Sequence, residues 1–374
     1  MEYKISNQGV RFLRVLVAPL DWGLGHATRC IPIIKELIRL DCTVLIAGDG
    51  PIIDLLKKEF PSSVFLRCKG YKITYSRNKR WMMLKIFFQL PRILSAICRE
   101  HYWLKKVIND HSIDAIISDN RLGMFAPKIP SIYITHQLFI RTGNPFTEKI
   151  AQKIHYYFIK KYKACWVPDN ENTGLAGMLS HPEKRPGNIL FIGPLSRLNS
   201  AQLCDPVYDV LILLSGPEPQ RTIFENQILA QLETFPGRAL FARGLPFEKK
   251  HVEVDNQSVK VLNHVSAEEL NIVMAQSKLV IARCGYTTIM DLAALRKTAI
   301  LVPTPGQTEQ EYLAEYLMEK KYFLAVPQEE FSLTEFLKKN ADFKYVPIDI
   351  SFNEYKKTIS QFVLSLKKPN FASQ

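Results

Sequence analysis

The chain has 374 residues, 47% of them hydrophobic, which is ample for two ordinary domains with packed cores and excludes a disordered chain. A net charge of +13, from 49 Lys and Arg against 36 Asp and Glu, favours anionic partners such as nucleotide phosphates or lipid head groups, while the lack of zinc-finger spacing, RNP-type aromatics or a compact basic run sets nucleic acid aside. The seven cysteines are scattered, odd in number and without a C-x-x-C pair, and no run of about eighteen apolar residues would span a bilayer, so neither a disulfide framework, a zinc site nor a spanning helix is expected, and the reading is a cytoplasmic protein, soluble or peripheral on the inner face of the membrane.

The first apolar run, Arg14 to Pro19, reads as a strand, and the i, i+3, i+4 spacing from Pro32 to Leu40 reads as an amphipathic helix. Between them, Gly23 and Gly25 form a strand-to-helix turn with His26 beside the helix entrance. Thr43 to Ala47 is a second strand, Ile52 to Glu59 a helix and Val64 to Arg67 a third strand. This alternation marks a parallel, doubly wound sheet. The segment Lys79 to Val107 then breaks the rhythm. It concentrates Trp81, Met82, Met83, Phe87, Phe88 and Trp103 among Lys and Arg, with Pro91 dividing two helical pieces, the composition of core helices or of an interfacial helix on anionic lipid.

Strands at Asp114 to Ser118 and Ser131 to Thr135 end at Asp119 and His136, and in a parallel sheet these ends open on the same crevice as His26. A helix over Lys149 to Lys161 and strands at Ala164 to Val167 and Ile189 to Ile192 complete a first domain, residues 1–195. Residues 196–207 read as a linker. Residues 208–350 form a second domain, in which strand Asp209 to Leu214 ends at Ser215-Gly216 and strand Val259 to Leu262 ends before Val265. A C-terminal helix and tail, residues 351–374, follow.

Leu279 to Ala314 is the most constraining stretch. A short buried-type strand ends at Arg283-Cys284-Gly285, and the helical period then runs through Met290, Leu292 and Leu295. Thr287 and Thr288 sit where the first helical N–H groups are free, a terminus suited to phosphate, and Gly285 allows close approach. Asp291, one turn in, is disposed to accept two hydroxyl hydrogen bonds, as a ribose requires. A further strand, Ala299 to Val302, leads to Gln310 and Glu311 beside the same mouth.

The run Arg283-Cys284-Gly285-Tyr286-Thr287-Thr288-x-x-Asp291, then Val302-Pro303 and Gln310-Glu311, resembles the donor-site signature of glycosyltransferase family 28. Gly23-x-Gly25-His26-x-x-Arg29 resembles the first loop of two-domain nucleotide-sugar glycosyltransferases, which lies in the acceptor half. The resemblance implies an α/β chain of two Rossmann-like doubly wound domains facing across a cleft, the architecture called GT-B. It also implies Tyr286, Thr287 and Thr288 on a nucleotide diphosphate, Asp291 on the ribose and Gln310 and Glu311 on the donor sugar. Ser215 and Gly216 would stand where the family has a phosphate loop, and Val265 where main-chain groups grip the base. Two departures bear on the donor: the family has Glu where this chain has Asp291, and a Gln pair where it has Gln310-Glu311.

On this reading a sugar, an N-acetylhexosamine or hexose, passes from a UDP-sugar co-substrate to an acceptor hydroxyl or phosphate, with no cofactor and no metal. His26 is the candidate base, with Asp21 or Asp119 to orient it, and Gly23, Gly25, Asp119 and His136 line the acceptor side. The acceptor is expected to be a polyprenyl-linked cell-envelope precursor or another lipid, met at an anionic membrane surface through residues 79–107. The alternatives are a UDP-N-acetylglucosamine 2-epimerase-like enzyme and a non-catalytic binder of sugar nucleotides or lipid carriers.

Overall fold

The structure, a computed structural model, describes residues 11–71, 79–172, 174–198 and 205–367, without the side chains of residues 79–90. The first half is built from β1 (Arg14–Pro19), α1 (Leu24–Arg39), β2 (Thr43–Gly48), α2 (Pro51–Glu59), β3 (Val64–Arg67), α3 (Lys79–His111), β4 (Ala115–Asp119), β5 (Ser131–Ile134), α4 (Pro145–Ile159), β6 (Ala164–Val167) and β7 (Ile189–Phe191). Its sheet is wholly parallel, in the order β3-β2-β1-β4-β5-β6-β7. The second half comprises β8 (Tyr208–Leu213), α5 (Gln220–Leu232), β9 (Ala239–Ala242), β10 (Val259–Leu262), α6 (Ala267–Ala275), β11 (Ser277–Arg283), α7 (Tyr286–Ala294), β12 (Ala299–Val302), α8 (Thr308–Glu319), β13 (Leu324–Ala325), α9 (Leu333–Asp342) and α10 (Glu354–Lys367). Its sheet is again parallel, in the order β10-β9-β8-β11-β12-β13.

Both orders reverse direction once, between β1 and β4 and between β8 and β11. Such switch points leave a crevice beyond the carboxyl ends of the strands. The central strands are buried along nearly their whole length, as parallel strands covered on both faces must be. This is why they read as continuous apolar runs. The apolar side chains of the two halves merge into one core, in which Leu175, Ala176 and Leu179 belong to the first half and Tyr286, Leu313 and Leu317 to the second.

Several elements differ from the sequence reading. α1 begins at Leu24, not at Pro32, with Gly23 as its N-cap. Gly25, His26 and Arg29 therefore lie on a helix rather than in a turn, and Pro32, which has no N–H to give the carbonyl of Thr28, is carried inside it. The burial of Ala27, Cys30, Ile31 and Ile34 against the sheet outweighs that lost bond. α3 runs through Pro91 as one helix of 33 residues. α4 starts earlier than expected, because Asn144 Oδ1 accepts from the N–H of Phe146 at 3.0 Å and Pro145 occupies the first turn. α10 returns to the first half: it packs on α1, and Phe362 meets the edge of Trp166 at 5.5 Å. Of the expected linker, residues 199–204 lie outside the described residues.

Candidate active site

β1 and β4 pair in register, Pro19 opposite Asp119, so the turn into α1 and the end of β4 share one edge of the crevice. Asp119 is fully buried and is gripped by Arg29 on two sides: Nε donates to Oδ2 at 2.6 Å, and Nη2 donates to Oδ1. His26 Nδ1 lies 3.2 Å from Asp119 Oδ1 and 2.9 Å from Arg29 Nη2. Burial opposes the charge on Asp119, but Arg29 and then His26 outweigh it and hold the carboxyl well below its ordinary range. Burial pushes the His26 pKa down; Asp119 opposes this and Arg29 adds to it.

Of the two carboxylates considered for orienting His26, the structure brings Asp119 to it. Asp21 faces Arg121 at 4.0 Å and fills the space above Gly70, where a Cβ would come within 1.6 Å of its Oδ2. Arg29 closed the first-loop motif without an assigned role, and its partner lies 90 residues away.

His136 follows β5 and extends this constellation across the cleft. Its Nδ1 is 3.1 Å from Arg29 Nη1, and its Nε2 is 2.7 Å from Oε1 of Glu309 in the first turn of α8. Its ring stacks on Tyr286 at 4.2 Å and 7°. Burial opposes the charge on Glu309, but His136 and Arg29 keep its pKa lowered. Glu309 was not among the expected site residues; its neighbours Gln310 and Glu311 drew attention instead.

In the second half, Gly285 is the N-cap of α7, and no side chain caps that terminus. The exposed pair Ser215-Gly216 follows β8, which pairs with β11, so both segments open beside each other. Gly216 has φ +112°, a left-handed value that favours glycine. Val265 follows β10, with its side chain buried in the core shared by the two halves. Thr287 and Thr288 are half-buried at the start of α7, and Thr287 Oγ1 donates to the carbonyl of Gly25 at 3.2 Å. The two helix termini thus face each other.

Four expected donor residues bond to other parts of the protein. The Tyr286 ring is buried between the halves and its hydroxyl donates to the carbonyl of Pro168 at 2.8 Å, so only its main chain belongs to the α7 terminus. Gln310 Oε1 accepts from the N–H of Thr304 at 2.9 Å, and Glu311 Oε1 accepts from the N–H of Gly306 at 2.9 Å; both brace the loop after β12. Asp291 is buried, with Oδ1 accepting from Ser196 Oγ at 2.6 Å and Oδ2 3.8 Å from Arg197 Nε, and burial raises its pKa. Single-sequence patterns do not show such contacts between distant segments.

Arg283, the first residue of the donor signature, ends β11 as a buried guanidinium. It donates to the carbonyl of Gln220 at 3.0 Å and to Gln328 Oε1 at 2.7 Å and lies 4.4 Å over the Phe224 ring; burial pushes its pKa down to about 10. Its Nη1 also faces the carbonyls of Val302 and Pro303 at 3.4 and 3.3 Å, so the guanidinium is held among main-chain carbonyls at the end of β12 and the start of α5. Among the described residues no group of three or more His, Cys, Asp or Glu side chains is disposed to hold a metal ion.

Residues 244–358 match the model of the glycosyltransferase family 28 C-terminal domain. An uncharacterized glycosyltransferase of Methanosarcina acetivorans is 24% identical over 335 residues, 83% of this chain and 84% of its own. The UDP-N-acetylglucosamine–N-acetylmuramyl-(pentapeptide) pyrophosphoryl-undecaprenol N-acetylglucosamine transferase of Glaesserella parasuis is 22% identical over 327 residues, 84% of this chain and 85% of its own. The crystal structure of the kitacinnamycin glycotransferase superposes with a TM-score of 0.62 at 13% identity, covering 95% of this chain and 96% of that one, which shows the fold. With two doubly wound halves meeting at facing helix termini and residues 244–358 similar to the family 28 C-terminal domain, the chain is a glycosyltransferase of the GT-B fold.

Proposed function

We propose that the enzyme transfers a sugar from a UDP-sugar to a hydroxyl or phosphate of a polyprenyl-linked acceptor, with His26 as the base. The observation that carries this reading is the 3.2 Å contact from Thr287 Oγ1 to the Gly25 carbonyl, which sets the phosphate-suited terminus of α7 against the helix turn that bears His26. The acceptor oxygen attacks the anomeric carbon and gives its proton to His26, while the bond from that carbon to the diphosphate oxygen breaks. Asp119 steadies the imidazolium that forms. The α7 terminus takes the charge that develops on the leaving diphosphate. Asp291 holds the ribose once Ser196 yields its place, and the main chain after β10 holds the base. The Glaesserella relative is named for a UDP-sugar donor and an undecaprenol-linked acceptor, which favours these two substrate classes.

Contact with an anionic membrane belongs to the same reading. Trp81, Met82, Met83, Phe87 and Phe88, on which the sequence expectation rested, have side chains outside the described residues. Further along α3, Leu94 and Tyr102 are exposed beside Arg92, Arg99, Lys105 and Lys106. α4 lies next to it, through Phe158 packing near Ile93 and Ile97. Its exposed face carries Phe146, Ile150, Ile154 and Tyr157 at helical spacing, with Lys149 and Lys153 and no exposed carboxylate. No helix among the described residues is long and apolar enough to cross a membrane, so the contact would be peripheral.

A thermal-shift screen of nucleotide sugars, followed by UDP-release assays with polyprenyl-linked acceptors in vesicles, tests the proposal. Acceptor-dependent UDP release from a UDP-sugar is expected. Isomerisation of the UDP-sugar without an acceptor, or binding without turnover, would overturn it.

A further inference from the structure

We propose that Arg29 is a positioning residue that decides which ring nitrogen of His26 carries the proton. The proposal rests on the reading of His26 as the base. A guanidinium is all donor: it has five N–H groups, no acceptor, and it stays charged. Here Nε and Nη2 serve the two oxygens of Asp119, which fixes the plane of the group. The remaining hydrogens face two imidazoles, with Nη1 at 3.1 Å from His136 Nδ1 and Nη2 at 2.9 Å from His26 Nδ1. A nitrogen that faces an arginine N–H must present its lone pair. Each ring, when neutral, therefore carries its proton on Nε2.

His136 supplies an independent check of this logic, because its Nε2 lies 2.7 Å from a Glu309 oxygen, where a proton is needed. For His26, Nε2 is the nitrogen left for the crevice, on a side chain that is 19% exposed. In this arrangement it offers an N–H to an acceptor oxygen rather than a lone pair.

Base catalysis needs the other tautomer, in which Nδ1–H donates to Asp119 Oδ1, now 3.2 Å away, and Nε2 is free. Arg29 and Asp119 thus compete for one nitrogen. Arg29 holds the base idle, and release of Nη2 from Nδ1 hands His26 to Asp119. The groups facing the His26 ring are Arg29 and Asp119 directly, with His136 and Glu309 one contact further on. An idle base also cannot deprotonate water, so the arrangement protects bound donor from hydrolysis until the acceptor arrives.

The test is the tautomer itself, read by long-range nitrogen–proton correlation NMR on full-length protein with 15N-labelled histidine, the His26 signals being assigned by their loss in His26→Gln. The expected result is a neutral His26 protonated on Nε2 in the wild type and on Nδ1 in Arg29→Gln, with hydrolysis of UDP-sugar rising relative to transfer in that variant. A wild-type His26 already protonated on Nδ1 would overturn the proposal, and that measurement does not depend on the folding of Arg29→Gln. So would an Arg29→Gln protein with the wild-type tautomer. The base reading fails separately, by undiminished turnover in His26→Ala.

Discussion

The hydroxyl of Thr287, in the first turn of α7, donates to the carbonyl of Gly25, in the first turn of α1, at 3.2 Å. The approach leaves little room, since a Cβ on Gly25 would also lie 3.2 Å from Thr287 Oγ1. Gly25→Ala should wedge the two helix termini slightly apart. A shift of this kind misaligns acceptor and donor, so kcat should fall by about 10-fold or more while thermal stability changes little. Steady-state kinetics beside a melting curve check this. Unchanged kcat would mean that the contact does not set the reacting geometry.

Asp291 is held by Ser196, and on the proposed reading that hydrogen bond occupies the carboxylate oxygen a ribose would need. Ser196→Ala removes the competitor, so UDP should bind tighter, by about 1 kcal/mol or roughly fivefold in Kd. Titration calorimetry reads this directly, and weaker binding in Ser196→Ala would show that the serine supports the site instead.

His155 gives the fold a specific acid sensitivity. It is buried on α4, its Nε2 meets the Tyr133 hydroxyl at 3.3 Å, and burial pushes its pKa down to about 4. The folded state resists a proton that the unfolded chain takes up near 6.5. The contribution is therefore whole above pH 6.5 and is lost as pH falls toward about 4, a change on the order of 3 kcal/mol. His155→Phe should flatten the fall of melting temperature across that window, with Tyr133 still bonded to Asn120 at 3.1 Å. An unaltered slope would assign the acid sensitivity to other groups.

The exposed face of α4 should bind vesicles that contain anionic lipid. Each lysine near such a surface contributes about 1 kcal/mol, so binding should weaken in high salt. Replacing Phe146, Ile150 and Ile154 by Ser should abolish co-sedimentation without changing turnover of a water-soluble acceptor. Equal sedimentation of this variant and the wild type would place the membrane contact elsewhere.

The architecture was largely legible because strands covered on both faces, such as Val15 to Ala18 and Ala299 to Val302, must be apolar throughout. The start of α1 was not, because Gly23-x-Gly25 and Pro32 each carry a local signal for turn or helix entry that packing against the sheet overrides. The membership of the crevice was partly legible, since strand ends of a parallel sheet converge, and this located His26, Asp119 and His136. The bonds among them depend on Arg29 and Glu309, and the hold on Asp291 depends on Ser196, all with partners far along the chain. Local periodicity carries no record of such pairings.

The most direct test of the account compares His26→Ala and Asp291→Ala for UDP binding and for acceptor-dependent UDP release. His26→Ala should bind UDP as the wild type does and lose kcat by roughly 10²- to 10⁴-fold, the range for loss of a general base. Asp291→Ala should weaken UDP binding by about 1.5–3 kcal/mol, the worth of hydrogen bonds to a charged group. Full turnover in His26→Ala, or wild-type UDP affinity in Asp291→Ala, would contradict the assignment of acceptor and donor roles to the two facing helix termini.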